Sequence, residues 1–265
     1  AIFSKDDSEP PVMNPKYIKP VDFRLKESEQ DSVAHCAKPM LGKNQLKIMK
    51  TYRERGQSQG FLTPSTSNFA ARVHMTFKPP GPPVKDEIRF AWDFRAANRL
   101  QTKLPNNLPN MTLQLQKQVN SKYLTSTDAK QGYHQLSITA RTAELLAAWM
   151  DDGLYQPNRL VEGAINSGHF YQAAVNRALQ HLPDEVREKV SNYLDDFLIG
   201  GATFEEYVKN TRKFFEMCKE FNITLHPKKT SLGYSKAKMV GHEVGDGKYT
   251  VHEDVLQPLR EAVIP

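Results

Sequence analysis

The chain has 265 residues, of which 39% are hydrophobic, 25% charged and 9% aromatic. That composition suits a globular protein with a large core or one domain split into lobes, and it excludes collagenous and low-complexity classes. No apolar run approaches membrane-spanning length and no signal-peptide pattern opens the chain, so no membrane role is expected. Cys36 and Cys218 are too few for a disulfide framework and fit a reducing intracellular compartment. The net charge of +6 favours a polyanionic partner such as nucleic acid. The first residue is Ala1, as expected of a processed product or an excised piece.

Residues 1–20 are polar and proline-rich and read as an arm or linker. Residues 21–25 read as a short strand. Leu46, Met49 and Tyr52 sit at helical spacing, and Gly56 is a C-terminal stop. Pro64-Ser65-Thr66-Ser67 is a turn. Residues 73–77 and 88–94 read as strands around Pro79-Pro80-Gly81-Pro82-Pro83, which fits only a loop tip. Lys78 and Lys85 flank that tip and Arg89 lies on the second strand; the group is either a solvated basic hairpin or a clamp on phosphates. Residues 103–110 are an extended connection and 111–119 a weak helix. Residues 122–128 read as a strand ending on Asp128. The strand at 147–150 runs into Asp151-Asp152-Gly153, read as a solvated hairpin turn. Phe170, Ala174, Ala178 and Leu182 share one helix face.

Residues 192–201 set Asp195 and Asp196 between strand-forming residues, as in a short hairpin. An isolated Asp-Asp pair is most often a solvated turn. Adjacent carboxylates repel, however, and persist where a cation sits beside them. Oxygen ligands at that density suit Mg²⁺. Thr203-Phe204-Glu205-Glu206 is a capping box. It opens a helix with Phe204, Tyr207, Val208, Phe215 and Cys218 inward, ending near Asn222. Residues 225–232 carry Lys228 and Lys229. Residues 239–244 read as one strand and Gly245-Asp246-Gly247 as a turn, and 248–265 are expected to hold little core.

A strand-end aspartate, a helix and a Tyr-Leu-Asp-Asp hairpin, in that order, resemble the palm of a reverse transcriptase, of the gypsy-type long-terminal-repeat retrotransposon family. The resemblance spans residues 22–265. It is carried by residues 60–67, by Arg89-Phe90-Ala91-Trp92-Asp93-Phe94-Arg95-Ala96-Ala97-Asn98, and by Thr127-Asp128-Ala129-Lys130-Gln131-Gly132-Tyr133-His134-Gln135-Leu136. Residues 155–171, Tyr193-Leu194-Asp195-Asp196, Leu225-His226-Pro227-Lys228-Lys229 and Val240-Gly241-His242 complete it. It implies an α+β right-hand polymerase palm, an antiparallel sheet backed by helices, with a fingers subdomain and the thumb absent or truncated. The implied division is 1–20 arm or linker, 21–102 fingers, 103–135 palm, 136–166 fingers, 167–247 palm and 248–265 the start of a thumb or linker.

The implied activity is RNA-directed DNA synthesis with two Mg²⁺ ions, adding deoxynucleotides to a primer 3′ end. Asp128 and Asp195 would bridge the ions, Asp196 would support them, and the Ala129 carbonyl would add a ligand. Lys78 and Arg89 would meet the triphosphate. Tyr133 would act as a gate against a ribose 2′-hydroxyl, although a packed aromatic is the simpler reading of that residue alone. Glu162 and Gly163 would line the nucleotide pocket. Lys229 is the candidate acid for the leaving pyrophosphate, with Lys228 as rival. Val240, Gly241 and His242 would grip the primer. The implied partners are primer–template RNA or DNA, deoxynucleoside triphosphates, and other chains or domains supplying thumb and RNase H.

Two features depart from the family pattern. Val161-Glu162-Gly163 and Asn166-Ser167-Gly168 replace the usual Pro-Phe-Gly and Asn-Ala-Pro. At an effective dielectric of ~20 and ~6 Å, one like charge at Glu162 opposes a triphosphate by about 3 kcal/mol unless a basic neighbour offsets it. The alternative expectation is therefore a domesticated, inactive structural or RNA-binding subunit of a larger ribonucleoprotein.

Overall fold

The computed structural model describes residues 2–3, 8–77 and 88–261. In chain order the elements begin with α1 (Lys43–Ser58), β1 (Leu62–Pro64), β2 (Arg72–Phe77), β3 (Ile88–Asp93), α2 (Arg95–Leu100), α3 (Met111–Gln116) and β4 (Tyr123–Asp128). Next come α4 (Ala140–Leu145), β5 (Ala148–Trp149), β6 (Leu154–Pro157), α5 (Ser167–Leu179), α6 (Asp184–Arg187), β7 (Val190–Tyr193) and β8 (Asp196–Gly201). The last are α7 (Phe204–Phe221), β9 (Ser231–Tyr234), β10 (Lys236–Met239), β11 (His242–Gly245), β12 (Lys248–Val251) and α8 (Glu253–Arg260). Among the described residues no helix is long and apolar enough to cross a membrane. The chain forms two compact units, one of Ala1–Tyr17, Asn106–Gly132 and Tyr171–Pro265, the other of Ile18–Pro105 and Tyr133–Phe170.

The first unit is built on an antiparallel sheet of order β7-β8-β4-β9. Its central pair runs in register from Tyr123 opposite Gly201 to Asp128 opposite Asp196. Only glycine fits at position 200, where an added Cβ would lie 2.2 Å from Gln118 Oε1. Helix α7 backs this sheet, with the Phe197 and Phe214 rings 5.2 Å apart. Thr203 caps its first turn by accepting from the Glu206 N–H, and Asn222, at φ +59°, ends it. The buried stripe is Tyr207, Asn210, Thr211, Phe214, Met217, Cys218 and Phe221. Of the five residues expected inward, Phe204 is exposed and Val208 and Phe215 are half-buried. Asn210 takes an inward place because its amide donates to the Gly200 carbonyl at 2.8 Å.

A second sheet, β10-β11-β12, belongs to the same unit. Residues 239–244, expected as one strand, are two strands joined at Val240 and Gly241. Their φ values of +44° and +74° make the tight turn that suits twisted hairpins. In the C-terminal stretch β12 completes this sheet and α8 follows it, and none of the described residues from 248 on is buried, in line with the little core expected there. Leu115, Leu124, Leu198, Ala237, Met239 and Val244 form a buried cluster with Met111, Tyr193 and Tyr249 against it. Each fully buried Leu or Val there contributes about 1.5–3 kcal/mol, which fixes the β4–β8 pair against the second sheet. Residues 8–17 are no free linker either: Met13 is buried, and Tyr17 stacks on Phe221 at 4.5 Å.

The second unit holds a sheet of order β1-β6-β5 and the β2–β3 hairpin, which pairs from Arg72 opposite Asp93 to Phe77 opposite Ile88. Residues 21–25 form no strand; Val21 and Leu25 make isolated bridges to Ile138 and Gln101. Asp151, expected in a solvated turn, is instead held by Arg53 of α1, which donates to its two oxygens at 2.7 and 3.1 Å. Lys78, Lys85 and the proline tip lie outside the described residues.

A carboxylate hairpin as the candidate active site

The site is made where β4 ends and β7 turns into β8. A strand pair in register puts opposed side chains on one face, so Asp128 and Asp196 face each other across the ladder. Asp195 occupies the two-residue turn with Leu194, and its carbonyl accepts from the Ala129 N–H at 2.8 Å. The Asp128 carbonyl accepts from the His226 N–H at 2.9 Å, which ties the segment before Lys228 and Lys229 to the end of β4. Of the two lysines, Lys229 reaches the carboxylates: its Nζ lies 2.6 Å from Asp128 Oδ2.

The electrostatics follow from that crowding. Burial, then Asp195, then Asp128 push the Asp196 carboxyl up to about 6, while a hydrogen bond from the Val240 N–H pulls it down. Burial raises Asp195 as well, with repulsion from Asp128 adding to it. The hydrogen bond to Asp128 raises Lys229. Asp128 is only 8% exposed, and its Oδ1 is buried without a hydrogen-bond partner. A buried orphan oxygen beside two carboxylates that resist ionisation calls for a positive charge.

The donor set suits a hard cation, since every candidate ligand is an oxygen. Among the described residues no three His, Cys, Asp or Glu side chains form a ready-made metal cage. Mg²⁺ does not require one, because it completes its shell with water and substrate phosphate. Asp128 and Asp195 would hold it, with Ala129 beside them, and the Lys229 ammonium now balances part of the charge on Asp128. The β10–β11 turn joins the site through the Val240 N–H on Asp196. Gly241 accepts from the His252 N–H at 2.8 Å, and His242 Nδ1 lies 3.0 Å from the Val240 carbonyl oxygen.

Residues 78–244, more than half of the chain, match the reverse transcriptase (RNA-dependent DNA polymerase) family. The chain belongs to that family. It is 24% identical over 245 residues to the retrovirus-related Pol polyprotein from transposon 412 of Drosophila melanogaster, covering 91% of this chain and 19% of that one. It is 22% identical over 237 residues to the transposon Tf2-3 polyprotein of Schizosaccharomyces pombe, covering 89% and 17%. The chain thus spans less than a quarter of these relatives. Among solved structures, the foamy viral protease-reverse transcriptase with an RNA/DNA hybrid aligns over 100% of this chain and 34% of its own, at TM-score 0.81 and 18% identity. The same protein with dsDNA aligns at TM-score 0.83 and 18% identity, over 100% and 52%. The fold is therefore the palm-and-fingers fold of reverse transcriptases.

The remaining positions of the reverse transcriptase pattern lie in the second unit. Arg89 is exposed on β3, opposite Thr76. Tyr133 is half-buried and lies in a short 3₁₀ segment that begins at Gly132. Glu162 is exposed and forms no ion pair among the described residues that would offset its charge. Gly163, at φ +91°, would bring a Cβ within 3.3 Å of the Trp92 carbonyl oxygen, so any side chain there is strained. Asn98 braces that loop: it donates to the Gly163 carbonyl and accepts from the Ile165 N–H, each at 2.9 Å. The sequence motif ending at Asn98 marked the residue without its task. The buried amides of Gln172 and Asn192 behind the Leu194–Asp195 turn had no sequence signal, because Gln and Asn are ordinarily surface residues.

Proposed function

We propose that this chain is the palm and fingers of an RNA-directed DNA polymerase of the gypsy-type retrotransposon class. The first unit serves as palm and the second as fingers. The observation that carries the reading is Asp128 opposite Asp196, with an orphan buried oxygen on Asp128 and Asp195 at the adjoining turn. The transposon Pol polyproteins among its relatives support the retroelement class.

Bound divalent cations would activate the primer 3′-hydroxyl and neutralise the triphosphate. Asp128 and Asp195 would hold them; Asp196 keeps the Val240 turn against the hairpin. Val240, Gly241 and His242 support the primer terminus. Lys229, the lysine within reach, carries the proton for the leaving pyrophosphate. In the second unit Lys78 and Arg89 take the triphosphate, Tyr133 screens the sugar 2′ position, and Glu162 and Gly163 border the pocket. Primer–template duplex and deoxynucleoside triphosphates are the substrates, and the remaining parts of the polyprotein supply the thumb and RNase H.

The test is primer extension on a heteropolymeric RNA template with four deoxynucleoside triphosphates, followed by sequencing of the product. Complementary DNA is expected. A product that ignores the template overturns the reading.

A further inference from the structure

Leu194 sits at φ +52°, a region uncommon for a bulky side chain and ordinarily filled by glycine or asparagine. It immediately precedes Asp195, so its backbone sets the direction of that carboxylate. Its N–H donates to Gln172 Oε1 at 2.9 Å, and its carbonyl accepts from Asn192 Nδ2 at 2.7 Å. Gln172 Nε2 donates to Asn192 Oδ1 at 2.5 Å, which closes a ring of three hydrogen bonds around the Leu194 backbone. The second amide hydrogens go to Asn176 Oδ1 at 2.8 Å and to the Asp196 carbonyl at 3.3 Å. Gln172 and Asn192 are 0% and 3% exposed, so neither amide has water as an alternative partner. A third amide steadies the strand, where Gln114 Oε1 accepts from the Asn192 N–H at 3.1 Å. The ring is built of neutral amides and grips the Leu194 backbone on both sides.

We propose that Gln172 and Asn192 are the positioning residues of the catalytic turn. They lock Leu194 in the left-handed conformation and thereby aim Asp195. The proposal rests on the polymerase reading given above. A strained residue held by fully satisfied buried amides is an over-determined geometry, of the kind found where a functional group must be placed accurately. A staple that merely held α5 to the hairpin would not need to grip both polar groups of one strained residue.

The test uses the full-length protein and compares Gln172→Met, Leu194→Gly and the double variant. Gln172→Met keeps side-chain length and removes the hydrogen bonds. Displacing Asp195 by a fraction of an ångström is expected to lower kcat for templated incorporation roughly 10–100-fold, with KM for the nucleotide within about threefold. Mn²⁺ affinity, read by electron paramagnetic resonance without substrate, is expected to fall about tenfold. Glycine adopts the left-handed region freely, so adding Leu194→Gly is expected to recover about fivefold or more of both losses.

If Gln172→Met lowers the melting temperature but leaves kcat and Mn²⁺ affinity unchanged, the pair is a staple and the proposal fails. A folded double variant without recovery also overturns it. If Gln172→Met does not fold, Asn192→Asp, which keeps the Oδ1 acceptor and removes both donors, is judged by the same outcomes. If the wild type shows no templated incorporation, the polymerase reading fails, and loss and recovery of Mn²⁺ affinity alone decide whether Gln172 aims Asp195.

Discussion

Replacing Asp196 by asparagine should stabilise the metal-free protein while harming its function. Ionised Asp196 lies beside Asp195 and opposite Asp128, and its carboxyl is pushed from 3.8 up to about 6. At 1.36 kcal/mol per unit, holding it ionised in the fold costs about 3 kcal/mol. A carboxyl raised in the folded state binds its proton more tightly there than in the unfolded chain. Its contribution to stability is therefore fully present below about pH 4 and is lost as pH rises through about 6. The asparagine amide is not a perfect replacement as acceptor for the Val240 N–H, and a weaker bond there removes about 1 kcal/mol. Asp196→Asn should thus raise stability by about 2 kcal/mol at about pH 7.5, or roughly 4–8 °C in melting temperature. At about pH 4.5 the gap should shrink towards zero or reverse. The assay is thermal unfolding followed by circular dichroism in EDTA at both pH values, repeated with Mg²⁺, which should stabilise the wild type and narrow the difference. A gap that is the same at both pH values, or a variant less stable at about pH 7.5 in EDTA, would refute the reasoning.

Three further outcomes follow from other parts of the molecule. Asp151→Ala leaves the buried Arg53 guanidinium with Asp152 at 3.2 Å and the exposed Glu54 at 3.9 Å as counter-charges; it should cost about 3 kcal/mol by urea unfolding, and a loss below about 1 would show that these two suffice. Gly163→Ala forces a Cβ towards the Trp92 carbonyl at positive φ, and should cost about 1–3 kcal/mol in the same assay. Tyr133→Ala should admit ribonucleotides, read as the ratio of kcat/KM for dTTP to that for UTP; an unchanged ratio removes the gate assignment.

The hairpin that carries Asp195 and Asp196 was legible in the sequence because it is local. Strand-forming residues flank two acidic turn positions, and the structure pairs Tyr193 with Asp196 across them. Asp128 became its partner only through the resemblance, since periodicity does not report that β4 lies beside β8. The failures have physical causes. Asp151 looked like a solvated turn residue because Arg53, its partner, is 98 positions away. The break at Val240 was invisible because a β-branched residue at φ +44° contradicts its own propensity. On α7, counting apolar residues selected Phe204 and Val208, whereas the buried stripe includes Asn210, whose amide is satisfied by Gly200. The amide ring around Leu194 was hidden for the same reason, because a polar residue does not announce burial before its partners are known.

The most direct measurement is single-turnover primer extension on oligo(dT)-primed poly(rA), with dTTP and Mg²⁺, comparing the wild type with Asp195→Asn in the full-length protein. Circular dichroism of both proteins confirms that the substitution leaves the fold intact. Extension by the wild type and none by the folded variant is the expected result. A wild type that adds no nucleotide, or a folded Asp195→Asn that extends at the wild-type rate, would contradict the assignment of the hairpin as the site of polymerisation.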